Sequence, residues 1–113
     1  LSFLNIKDKA ISVGEKSNLK GNNIYIDKSF IGIASKDKSL AKVKNLNVKN
    51  LDFCLAAYNK KPEFGEGNIK LENISDNSIC SFKYLLEKGS SISINSKKLL
   101  TNSEEILQII YEK

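Results

Sequence analysis

The chain has no His, no Met and no Trp, a single Pro and two Cys among 113 residues, and its 18 basic residues are all Lys. Each absence closes a line of chemistry. Without His there is no imidazole base for nucleophilic or metal-assisted catalysis, and two cysteines cannot complete a usual zinc set. Without Arg the planar fork that reads phosphates and base edges is missing, which counts against nucleic acid as the partner. No apolar run approaches the length that crosses a bilayer, and no basic stretch followed by an apolar one marks secretion. Cys54 and Cys80 are too few for a disulfide framework and read as two separate small residues, buried or at a sheet edge.

What is present is a net charge of +5, and hydrophobic residues that are mostly Ile and Leu. The excess of Lys suits acidic partners, although lysines spread over a surface also serve solubility alone. The length allows one domain with an economical core. The chain opens on Leu1 rather than Met, which suggests a piece of a longer polypeptide.

The strongest signal is an echo. AISVGEKS, from Ala10 to Ser17, returns as GIASKDKS, from Gly32 to Ser39. The same slide aligns Ile11 with Ile33 and Leu55, Lys16 with Lys38 and Lys60, and Glu15 with Asp37 and Asn59. Two further apolar columns run Ile24, Leu46, Ile69, Ile92 and Ile26, Val48, Leu71, Ile94, with one polar residue between the members of each pair. That is strand alternation. A third column runs Ile11, Ile33, Leu55 and, after an insertion, Ile79. Short strands that recur in one order at this regular step return in the same direction, so they stack in parallel, one coil on the next.

The expected fold is therefore all-β: a right-handed parallel β-helix of about four to five coils of 22–24 residues over 1–98. Asn23, Asn45 and Asn68 precede the first strand of successive coils and Asn50 and Asn73 follow it, positions suited to amide ladders at the turns. A leucine-rich solenoid is the competing architecture, but FIGIAS and FCLAAY stand where that repeat carries a helix or extended turn. NKKPEFGEG, after Tyr58, reads as a projecting loop. The segment 99–113 reads as a cap: Thr101 and Glu104 match a capping box for a short helix, while ILQIIY also fits a last rung.

DKAISVGEKS, GIASKDKS and LAAYNKKPEFG resemble the right-handed parallel β-helix repeats of the pectin-lyase-like superfamily. More narrowly, they are similar to β-helix segments of bacterial surface proteins that carry a CotH-type kinase-like domain. The resemblance covers roughly residues 7–70. It implies an extracellular or cell-surface, polysaccharide-associated setting, upstream coils of the same chain, and neither a cofactor nor a catalytic assignment. The paired Asp and His-bearing motifs of β-helix hydrolases, and the calcium-binding acidic cluster with a basic Arg or Lys of the lyases, are incomplete here. The expected function is a non-catalytic module that scaffolds or binds acidic carbohydrate. The alternative is the C-terminal end of a polysaccharide lyase or glycoside hydrolase whose catalytic coils lie upstream.

The candidate site is one rim of the stack. Lys16, Lys38, Lys60 and Lys61 would lie along an acidic glycan, with Tyr58 as a stacking surface. Glu15 and Asp37 form a weaker candidate for a cation, which would want more oxygens than two carboxylates offer. Alternating acidic and basic columns also neutralise each other without any ligand.

Overall fold

The computed structural model describes residues 2–58, 67–75, 79–87 and 89–100. Among them there is no helix. The strands are β1 (Ser2–Val13), β2 (Asn18–Lys36), β3 (Leu40–Tyr58), β4 (Asn68–Ile74), β5 (Cys80–Leu86), β6 (Ser91–Ile94) and β7 (Lys97–Lys98). Every pairing from β1 to β6 is parallel, in the order β1-β2-β3-β4-β6, with β5 also on β3. This is a parallel β-solenoid of about four turns.

The long strands bend where the backbone enters the left-handed region. Asn23, Asn45, Asn73 and Asn95 have φ of 55°, 62°, 63° and 51°, and Asn5, Lys28 and Asn50 have 57°, 60° and 57°. A third corner carries two such residues per coil, Glu15 with Lys16 and Asp37 with Lys38. Asn is favoured there because its short amide tolerates this conformation and bonds locally. Three corners divide each coil into three sides.

The four asparagines of the first corner form a ladder. Asn45 Nδ2 donates to Asn23 Oδ1 at 3.1 Å, Asn73 Nδ2 donates to Asn45 Oδ1 at 3.2 Å, and the Asn73 backbone N–H donates to Asn95 Oδ1 at 2.9 Å. The sequence pattern anticipates an Asn ladder, but with Asn68 as its third member. Asn68 instead lies at the start of β4, where its backbone N–H donates to Ser39 O at 3.0 Å. Replacing Asn45 by Ala is expected to cost about 1–2 kcal/mol, from left-handed strain and lost amide bonds. Asn45→Gly, free of the strain, should cost less than half of that. Urea midpoints compare the two, and equal losses would show that the backbone angle is not the cause.

The shift of Asn68 reflects a different register between the third and fourth coils. Leu40 opposes Asn68, Ala41 opposes Ile69, Val43 opposes Leu71 and Leu46 opposes Ile74. The inward columns are thus Leu19, Ala41, Ile69, Ile92 and Gly21, Val43, Leu71, Ile94, with Ile24, Leu46, Ile74 on the next side. Periodicity alone pairs Ile69 with Leu46, since Ala41-x-Val43 and Leu46-x-Val48 offer the same apolar alternation. On the third side Tyr84, not Ile79, pairs with Leu55, and Ile79 is 61% exposed.

The same register moves the cysteines. Cys80 sits opposite Leu51, and it forms a disulfide with Cys54 across 26 residues, at a Cα–Cα distance of 5.7 Å. They are therefore a bonded pair, not two separate residues. Both pack against the main core, which includes Ile24, Ile26, Ile33, Leu46, Val48, Leu55, Ile69, Leu71 and Ile92.

A second buried cluster joins Phe30, Ile31, Ala34, Phe53, Ala56, Tyr58 and Leu85. Ala34 and Ala56 alternate with the core residues Ile33, Leu55 and Ala57, so this cluster occupies the opposite face of the third side. Phe82 stacks on Phe53 with centroids 5.1 Å apart, and Phe30 meets Phe53 edge-on at 5.7 Å. The parallel stack changes character at β6, where a two-residue turn with Asn95 and Ser96 both at positive φ leads into the antiparallel β7. The expected cap falls mostly on residues 101–113, outside the described residues.

Candidate functional site

The rim expected from the echo is partly assembled. Glu15 and Lys16 stack beneath Asp37 and Lys38 at the third corner, and the Lys16 backbone N–H donates to Asp37 O at 2.9 Å. Lys16 and Lys38 are exposed, as is Glu15, but Asp37 is only 1% exposed. The two carboxylates therefore occupy different environments, and no group of three or more His, Cys, Asp or Glu side chains converges among the described residues. Tyr58 is fully buried within the second cluster, so its ring is enclosed rather than displayed as a stacking surface. Lys60 and Lys61 lie outside the described residues.

Behind this corner is a packed knot of hydroxyls. Ser35 Oγ and Ser39 Oγ are 2.6 Å apart, and Ser39 Oγ donates to Val13 O at 2.8 Å. The Asn68 N–H also donates to Ser35 Oγ at 3.2 Å. These bonds hold three coils together at the point where Asp37 is buried.

A more regular basic array lies on the first side of the coils. Here β2, β3 and β4 alternate strictly, with Ala41, Val43, Ile69 and Leu71 inward and buried. The intervening positions face out. Lys20 opposes Lys42, Lys42 opposes Lys70, and Asn22, Lys44 and Glu72 form the neighbouring row. All six side chains are exposed. With strands about 4.8 Å apart, three ammonium groups project from successive rungs. Lys20, Lys42, Lys44 and Lys70 make no ion pair within the described residues. They border a groove of about 450 Å³ that also includes Gly21, Val43, Leu71, Ser93 and Ser96.

The lysine row is hidden in the sequence because an insertion separates its members unequally. Lys42 follows Lys20 by one plain repeat, whereas Lys70 follows Lys42 only after the added length beyond Tyr58. The alternating K-x-K of Lys42 and Lys44 beside buried Ala41 and Val43 is the available signal.

Around the Asn corner, the second side offers another groove of about 390 Å³, bordered by Asn23, Asn45 and Asn73 and by Tyr25, Asn47 and Ser75. Tyr25 and Asn47 are register partners. The carboxamide oxygen of Asn47 is buried and has no hydrogen-bond partner.

No family model, curated protein or solved structure matches the chain. Among the described residues, no helix is long and apolar enough to cross a membrane.

Proposed function

We propose that this chain is a non-catalytic β-helix module of a bacterial surface or secreted protein that binds or scaffolds acidic carbohydrate. The observation that carries the reading is the row Lys20, Lys42 and Lys70 on successive coils, without ion pairs among the described residues. A polyanion running across the coils meets one ammonium group per rung, and the rung spacing of about 4.8 Å is close to the length of one pyranose unit. Lys44 and the serines at the groove's end add further donors. The sequence resemblance to pectin-lyase-like repeats and to CotH-associated β-helix segments supports the same setting. So does the Cys54–Cys80 disulfide, since such bonds persist in oxidising compartments.

The test is binding of oligogalacturonate of six to ten units, with a neutral oligosaccharide of the same length as the control. Binding should weaken as salt rises, and Lys42→Glu or Lys70→Glu should weaken it about tenfold each. That factor follows from one lost attraction plus one new repulsion, each about 0.8 kcal/mol at 5 Å in water. Lys16→Glu, at the far corner, should have little effect. Failure to bind uronate, binding indifferent to Lys42 and Lys70, or a preference for single-stranded DNA over uronate would overturn the reading.

A further inference from the structure

We infer that the Tyr25–Asn47 groove is a second ligand site, distinct from the lysine row, that takes a neutral, hydroxyl-rich ligand such as one or two sugar residues. Three features distinguish it from an ordinary stretch of solenoid wall. First, its borders carry amides, a phenol and a hydroxyl but no charged side chain, directly across the Asn ladder from a groove bordered by lysines. Second, it combines a half-buried aromatic ring, Tyr25, with a carboxamide, Asn47, on adjacent rungs. An apolar ring face with amide donors and acceptors beside it matches a pyranose, which offers C–H groups on one face and hydroxyls around its edge.

Third, the Asn47 carboxamide oxygen is buried without a donor. A buried acceptor without a donor is unfavourable, and a ligand hydroxyl admitted by a small shift of the flanking side chains supplies the missing bond. The ladder amides differ. Asn45 Nδ2 and Asn73 Nδ2 already donate along the ladder, to Asn23 and to Asn45, so they form a stiff rim rather than the reading element. Among the described residues of this border, Asn47 thus carries the buried side-chain acceptor that lacks a donor, beside the corner held by the ladder.

The inference extends the carbohydrate reading to another face but does not depend on the lysines. It is tested with the whole chain and neutral hexasaccharides of β-1,4-glucose, α-1,4-glucose and β-1,4-N-acetylglucosamine. Binding is followed by calorimetry and by side-chain amide shifts in ¹H–¹⁵N spectra. At least one probe should bind saturably, with an affinity that changes less than twofold between 50 and 500 mM salt, and should shift the Asn47 amide signals. Asn47→Leu should weaken this binding at least tenfold, and Tyr25→Ala likewise, while Lys42→Glu leaves it unchanged. Thermal melts check that both groove variants remain folded, with Asn47→Ser as the milder second variant. No binding of any neutral probe, binding unaffected by Asn47→Leu and Tyr25→Ala, or binding lost with Lys42→Glu would overturn the inference. Loss of uronate binding alone, with neutral binding intact, would count against the lysine row and leave this site standing.

Discussion

Gly67→Ala should abolish the native fold or lower its stability by more than about 3 kcal/mol, the largest single-residue effect expected in this chain. Gly67 leads into β4 and is buried against the hydroxyl knot of the third corner. A Cβ placed on it would clash with the carbonyl oxygen of Ser35 and stand 2.8 Å from the Lys36 backbone nitrogen. Both are main-chain atoms of β2, and β2 is itself paired on both sides. Neither a rotamer change nor a small rotation relieves the contact, so the return of the chain into the fourth coil must move as a whole. Overpacking commonly costs about 1–3 kcal/mol, and rigid backbone on the receiving side places this case at or beyond the upper end. The movement would also break the Gly67 N–H bond to Ser90 Oγ at 3.1 Å and the Ser91 N–H bond to Gly67 O at 3.1 Å. Urea unfolding of the variant provides the measurement. A loss below about 1 kcal/mol, the low end of overpacking costs, would mean that the corner is loosely packed.

Reducing the Cys54–Cys80 disulfide should lower stability by about 3–4 kcal/mol. The bond spans 26 residues of separation, and closing a loop of that length in the unfolded chain has an entropic value of about 3.5 kcal/mol. Against a typical total of about 5–15 kcal/mol, that is a large share. The bond also ties β3 to β5, whose register pairs, Leu51 with Cys80 through Ala57 with Leu86, connect strands between which β4 intervenes in sequence. Cys54→Ser and Cys80→Ser variants, and wild type with dithiothreitol, should lose midpoint by similar amounts. The oxidised protein should show no free thiol toward Ellman's reagent. Two titratable thiols in the native oxidised chain, or identical denaturation curves with and without reductant, would contradict the prediction.

The pairing of β2 with β3 is legible in the residues alone: Ile24 on Leu46, Ile26 on Val48, Ile33 on Leu55 and Ala34 on Ala56 all hold. These positions share one uninterrupted repeat, and a parallel stack presents the same inward face at every coil. The repeat loses its authority beyond Tyr58, where the step lengthens by the inserted residues and Val43 meets Leu71 while Leu55 meets Tyr84. Alternation has a period of two and says which face a residue takes, but not which of three similar sides it joins. Ile69 and Leu71 fit two sides of the third coil equally well by pattern. Choosing the wrong one carries Cys80 away from Cys54 and puts Ile79 on an inward column it does not occupy.

The candidate site divides in the same way. Stacking of Lys16 and Lys38 at one corner is visible in the sequence, because both lie within the insertion-free repeat. The burial of Asp37 and Tyr58 is not, since it depends on groups brought from other coils and on a second cluster outside the main core. The lysine row requires the true register of β4, and the Asn47 groove requires the corner geometry.

The sequence by itself determined that the chain stacks in parallel coils, which side chains face inward on β2 and β3, and that no imidazole or guanidinium chemistry is available. These follow from local alternation, a regular repeat and composition, each readable without long-range contacts. Only the tertiary structure decided which side of the third coil the fourth coil covers, that the two cysteines meet, and that Lys20, Lys42 and Lys70 share a face. Those outcomes depend on how β4 seats against the earlier coils, through backbone fit at Gly67 and the bonds around Ser35 and Ser39. Contacts of that kind arise between residues far apart in sequence, and periodicity carries no record of them.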